Sequence, residues 1–213
     1  MNKGMKILIG IIIAILIIIG VLFGIYFAAF RPSVETTSVA DAGQINISSI
    51  AQKFTPQDIV KSIGINTNDI NGTKTVKLNS KDLSNLAAYA VSKSPAATKY
   101  VTGVKVEPKG KKLDLYLTTK VHGVPSQAKL IFNVKSENGK GVLHYDSGKV
   151  GFIPIPQSIL FDKLRDNGYI TVNKNNGTIT INPAAEKGLN IAKMNISNSE
   201  LNLELNKIKN QVA

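Results

Sequence analysis

Residues 7–30 form an unbroken apolar run, ILIGIIIAILIIIGVLFGIYFAAF, with no charged residue and no Asn, Gln, Ser, Thr or Pro. As a helix, a run of this length measures about 36 Å, enough to cross a ~30 Å hydrocarbon layer with some tilt. This stretch constrains everything after it. It reads as one transmembrane helix, with a short cytoplasmic segment at 1–6 before it and a domain held beside the bilayer after it. Lys3 and Lys6 flank it on the N-terminal side and Arg31 alone on the other. The positive-charge bias therefore predicts a single-pass plasma-membrane protein with its N-terminus in the cytoplasm and its C-terminal domain outside. Ser38-Val39-Ala40 has the small-x-small form of a signal-peptide cleavage site. It lies well past the run, and the run exceeds the roughly 7–15 residues of a signal core, so a retained anchor is expected.

About 180 residues remain, enough for one domain with its own core. Their lack of Cys excludes disulfides, thiolate metal sites and a cysteine nucleophile. Lys and Arg number 26 against 14 Asp and Glu, a formal charge of +12, and only Lys3 and Lys6 precede the apolar run. Such an excess suits anionic neighbours, either lipid headgroups or an anionic envelope polymer, although it also serves plain solubility. The cations are scattered singly and form no stripe interleaved with aromatics, so nucleic acid is not an expected partner.

Residues 31–45, rich in Ser, Thr, Ala and Gly, read as a juxtamembrane linker, and 46–213 as a single extracytoplasmic domain. Thr55-Pro56-Gln57-Asp58 has the form of a helix start and Gly64 of its stop, with an Asn-, Asp- and Gly-rich loop over 66–73. A short strand over 75–78 leads to an amphipathic helix capped by Asn79 or Ser80. Leu83, Leu86, Ala87, Ala90 and Val91 form its apolar stripe, and Ser94-Pro95 ends it. Two long alternating runs follow. Leu113, Leu115 and Leu117 share one face of the first; Ala128, Leu130, Phe132 and Val134 share one face of the second. Lys109, Lys111 and Lys112 mark a turn, and Asn138-Gly139 predicts a hairpin into a third strand over 142–152. Pro156 opens a second helix, with Ile159, Leu160, Lys163 and Leu164 on its inner face. Strands are expected again at 169–172 and 178–181. Two final stripes close the chain, Ala192, Met194 and Ile196, then Leu201, Leu203 and Leu205. The predicted fold class is α+β: an N-terminal transmembrane helix plus a curved, mainly antiparallel sheet of long strands, packed with two or three amphipathic helices.

The strand-to-helix step Val76-Lys77-Leu78-Asn79-Ser80-Lys81-Asp82-Leu83 and the element Gly151-Phe152-Ile153-Pro154-Ile155-Pro156 occur in a set order, with long strands between them and paired strands after. This arrangement resembles the YpmS-like family of membrane-anchored envelope proteins of Gram-positive bacteria. The resemblance implies an extracytoplasmic domain in a bacterial envelope and carries no catalytic residues. In architecture alone it is also similar to tubular lipid-binding domains, where a curved sheet wraps a helix and leaves an apolar groove.

No serine-hydrolase elbow, phosphate-binding glycine loop or zinc-protease motif occurs, so catalysis is not expected and neither cofactor nor metal is implied. His144 and Asp146 stand two apart on one strand face and are the one acid–base candidate; exposed strand positions explain them, and His122, more simply. The expected function is a membrane-anchored binding module holding a lipid or lipid-linked envelope precursor in an apolar groove. Leu83, Leu86, Leu115, Leu117, Leu130, Phe132, Ile159 and Leu160 are its candidate lining. The alternative is a non-catalytic accessory subunit that docks on another membrane protein or an anionic wall polymer.

Overall fold

The computed structural model describes residues 20–21, 24–53, 73–121, 123–162, 164–166, 170–182 and 189–207. In chain order the strands are β1 (Thr37–Ser38), β2 (Lys74–Leu78), β3 (Val101–Lys109), β4 (Lys112–Val121), β5 (Val124–Glu137) and β6 (Lys140–Val150). They continue with β7 (Ile153–Pro154), β8 (Ile170–Asn173), β9 (Thr178–Ile181), β10 (Leu189–Ser197) and β11 (Glu200–Lys207). The helices are α1 (Ile47–Gln52), α2 (Ser80–Ser92), α3 (Pro95–Thr98) and α4 (Gln157–Phe161), with a 3-10 turn at Ala40–Gln44.

The larger sheet runs β1-β3-β4-β5-β6-β9-β8, with β7 also on β6; the smaller runs β10-β11-β2. Every pairing among the described residues is antiparallel. The fold is therefore α+β with an antiparallel sheet of long strands and few helices. Most of residues 7–30 lie outside the described residues. The described part is helical and ends in a widened π-type turn at Tyr26–Phe30. Among the described residues no helix is long and apolar enough to cross a membrane. The helix expected from Thr55 and the loop after it also lie outside them, apart from Thr73.

Local chemistry explains the longest strands. Asn138 and Gly139 both take positive φ, 50° and 74°, which matches the twist of a two-residue hairpin. β5 and β6 then pair in unbroken register to Phe132↔Tyr145, where Asp146 is an extra residue and the register shifts. A bulge of this kind reverses which face the following residues occupy. Leu130 and Phe132 point into the core from β5, and Tyr145 meets Phe132 and Phe161 edge to face at 5.8 and 6.1 Å.

Asn79 caps α2 reciprocally with Asp82: Asn79 Oδ1 accepts from the Asp82 amide at 2.9 Å, and Asp82 Oδ2 from the Asn79 amide at 3.2 Å. The helix then lies along β3. At Val106, two serines take the place of a neighbouring strand. The Val106 amide donates to Ser84 Oγ at 2.9 Å, and Ser80 Oγ donates to the Val106 carbonyl at 2.7 Å. Ser84 is buried because this junction is closed.

The smaller sheet buries Val76, Leu78, Ile191, Met194, Ile196, Leu201, Leu203 and Leu205. It joins the larger sheet at the hairpin tip, where the Ile191 amide donates to the Gly139 carbonyl at 2.8 Å and Ser136 Oγ to the Ala192 carbonyl at 3.2 Å.

Four sequence expectations are revised. β3 is a full strand, unforeseen because Gly103 and Pro108 disguise its alternating valines. The second predicted helix is a single short turn, so Ile159 faces solvent and Phe161 is the buried anchor. A bulge between Ile191 and Lys193 turns Ala192 outward and Ile191 inward. Finally, residues 31–45, read as a linker, contain β1 and the 3-10 turn and are held on the larger sheet.

Candidate functional site

The face of the larger sheet opposite the core carries alternating polar residues, and the chain following the apolar run lies across it as a strap. Gln127, on β5, fixes the strap by imitating a peptide. Its Oε1 accepts from the amides of Ser33 and Val34 at 3.3 and 3.2 Å, and its Nε2 donates to the Val34 carbonyl at 2.7 Å. Thr36 and Thr118 then share a hydroxyl–hydroxyl bond at 3.1 Å, and β1 pairs with Val104 and Gly103 of β3. Glycine at 103 admits this approach, since a Cβ there would collide with Thr36 Oγ1. Upstream, the Tyr26 hydroxyl donates to the Pro125 carbonyl at 2.6 Å, and the Phe30 ring meets Phe152 edge to face at 5.2 Å. Gly151, at φ +59°, lets the Ala29 carbonyl pass: a Cβ there would lie 2.6 Å from that oxygen.

Between strap and sheet lies a recess of about 280 Å³, lined chiefly by Arg31, Ser33, Tyr116, Gln127, Lys129 and Lys149. Its floor follows from register. Lys105, Tyr116, Lys129 and Lys149 stand directly opposite one another across β3, β4, β5 and β6. Lys149 faces this side only because of the Asp146 bulge, without which Gly148 would oppose Lys129. Lys129 is 2.6 Å from Asp114, whose carboxylate is buried, and its ammonium lies 5.4 Å from the Tyr116 ring centroid. The hydrogen bond that the Lys129 ammonium donates to Asp114 holds its pKa above the usual lysine range, and burial partly opposes it. Lys105 is 3.7 Å from Glu107. Among the described residues neither Lys149 nor Arg31 pairs with a carboxylate, although Arg31 lies over the Phe27 ring at 5.4 Å. Beside the recess, the turns at this end of the sheet expose Val124, Phe152 (68 %) and Ile153 (50 %).

The residues nominated for an apolar groove are placed otherwise. Leu130 and Phe132 are in the buried core; Leu83, Leu86, Leu115, Leu117 and Leu160 are half-buried and packed against it; Ile159 is 59 % exposed. The fold uses the first seven for packing. His144 and Asp146 do not pair with each other. Asp146 accepts from Lys112 at 2.9 Å, Asn133 at 3.4 Å and Ser147 at 3.4 Å; the Lys112 bond is the main reason its carboxyl sits below the usual range. His122 lies outside the described residues. Among those residues no three His, Asp or Glu side chains gather to hold a metal.

Comparison with known protein families, curated proteins and solved structures finds no match. The recess was missed from sequence because its cations are isolated in the chain, at 31, 129 and 149. The hairpin register and the bulge align Lys129 with Lys149, and the docking of the strap on Gln127 brings Arg31 to them.

Proposed function

We propose that the chain is a single-pass membrane protein whose exterior α+β domain is a binding module seated directly on the outer leaflet, engaging anionic lipid or a lipid-linked envelope precursor. The observation that carries the reading is the docking of the strap. The chain leaving the apolar run is bound to the sheet at once, through Tyr26 to Pro125, Phe30 to Phe152 and Val34 to Gln127. If residues 7–30 cross the bilayer, the same end of the sheet reaches the interface. There the turns present Val124, Phe152 and Ile153 at the depth where apolar and aromatic side chains partition, with Arg31 and Lys149 at headgroup height. The resemblance to membrane-anchored envelope proteins agrees with this placement.

The chain has no Trp, so Phe152→Trp gives a single tryptophan that can be excited selectively beside the six tyrosines. In nanodiscs, its emission should shift to the blue and be quenched by lipids brominated on their acyl chains. Emission typical of water and indifferent to bromolipid would refute the seating.

A further inference from the structure

We propose that the recess between strap and sheet is a site for a phosphate group, taking the headgroup of an anionic lipid from the membrane on which the domain sits. This rests on the seating proposed above and assigns it a ligand.

The first argument is electrostatic. Like charges directly opposite in a sheet disfavour the pairing, and here Lys129 and Lys149 face each other. Asp114 answers Lys129, and Glu107 answers Lys105 at the far end of the row. Among the described residues the charges left without a carboxylate are Lys149 and Arg31; both line the recess, and no carboxylate stands among its described lining residues. An anion placed there supplies the missing counter-charge.

The second argument is chemical. Ser33 and Tyr116, each bearing a hydroxyl, line the same space as the two cations. Neutral hydroxyl donors beside ammonium and guanidinium groups suit phosphate oxygens, and Arg offers a fork that binds two of them at once.

The third argument is size and place. A volume of about 280 Å³ is several times the ~30 Å³ share of one water and lies at the small end of ligand pockets. It is large enough for a phosphate with its glycerol ester. Arg31 directly follows the apolar run, and Gly151 in the recess wall adjoins exposed Phe152, which sets the recess at headgroup height.

The test is native mass spectrometry of the full chain in a non-ionic detergent, titrated with phosphatidylglycerol, phosphatidylcholine and inorganic phosphate. The first phosphatidylglycerol should bind well ahead of phosphatidylcholine. Arg31→Ala and Lys149→Ala should each weaken it about tenfold or more, the scale of a hydrogen bond to a charged group. Lys149→Arg should retain it. Lys140→Ala, at the opposite end of β6, should leave it unchanged. Equal losses for Lys140→Ala and Lys149→Ala would mean diffuse attraction and overturn the site, as would no preference between the two lipids. Displacement of the lipid by inorganic phosphate at like concentration would keep the phosphate site and overturn the lipid as its source. The Phe152→Trp measurement is independent. Quenching with an unselective recess refutes only the site, and a selective recess without quenching refutes only the seating.

Discussion

Ser84→Ala probes the joint between α2 and β3. The wild-type hydroxyl accepts from the Val106 amide at 2.9 Å and donates to the Ser80 carbonyl at 2.6 Å, in a position only 3 % exposed. Alanine leaves the Ser80 carbonyl within the helix ladder but gives the Val106 N–H a methyl group in place of an acceptor. Orphaning a buried donor costs about 1–3 kcal/mol. Alanine's better helix propensity returns roughly 0.5 kcal/mol. The net loss is about 0.5–2.5 kcal/mol, and at ~2–4 °C per kcal/mol for a chain of this size Tm falls by several degrees. The control is Ser92→Ala, which removes a half-buried hydroxyl that donates to the Tyr89 carbonyl of its own helix at 2.7 Å, and should be near neutral. Thermal unfolding of the full chain by circular dichroism gives the difference, and hydrogen exchange locates it at the Val106 amide. If Ser84→Ala melts with Ser92→Ala and the Val106 amide keeps its protection, the serines do not complete the edge of β3.

Three further outcomes follow from the same geometry. Gly151→Ala places a Cβ at φ +59° against the Ala29 carbonyl, costing about 1–2 kcal/mol in backbone strain alone; a glutamyl endopeptidase should then cut after Glu35 in the loosened strap faster than in wild type. Asp114→Ala should lose about 1.5–3 kcal/mol near neutral pH. Because folding raises the Lys129 pKa, that stabilisation is complete below about pH 10.4 and fades as pH climbs through the higher folded value; the variant's alkaline melting profile should therefore fall less steeply than wild type's. Asp146 behaves in the opposite sense: its carboxyl is lowered, chiefly by Lys112, so its contribution is present above about pH 3.9 and lost as pH falls through the depressed value. Lys112→Ala should move its carboxyl titration, followed by carbon-13 NMR, back towards that ordinary value.

What the sequence revealed was set by period and turn chemistry. Asn138-Gly139 fixed a hairpin because two positive-φ positions in series favour those residues, and the leucines of β4 and β11 fixed their inner faces. The capping of α2 was equally readable, since Asn79 and Asp82 act within one turn. Bulges were not readable. Nothing in Tyr145-Asp146-Ser147 announces an extra residue, yet it decides that Lys149 faces the strap. β3 was hidden for a related reason: Gly103 and Pro108 look like breaks, while in the fold one admits Thr36 and the other occupies the strand's buried end. The recess depends on register, on a bulge and on a contact across more than ninety residues, all of them tertiary.

The division of the larger sheet into two faces also explains why a polar site belongs under the strap. Apolar side chains from β3 to β6 meet α2, α4 and their neighbours on one face, and such surfaces close against each other as they shed water. Between Arg31 and Thr36 the strap has no comparable apolar face to offer; its buried apolar residues, Val39 and Ala42, come later. It is held by Gln127, by a threonine pair and by ring contacts at its upstream end, so the stretch between those fixed points stands off from a row of lysines. A segment pinned by hydrogen bonds over charged side chains leaves a hydrated space, because neither lysine nor arginine can be stripped of water without a partner. The fold supplies carboxylate partners for Lys105 and Lys129 from within the sheet and, among the described residues, no carboxylate for Arg31 or Lys149. Moving one carboxylate into the recess, as in Ser33→Glu, would supply that charge internally. On the proposal above it should compete with phosphatidylglycerol while leaving the strap's own hydrogen bonds to Gln127, which come from the backbone at 33 and 34, in place.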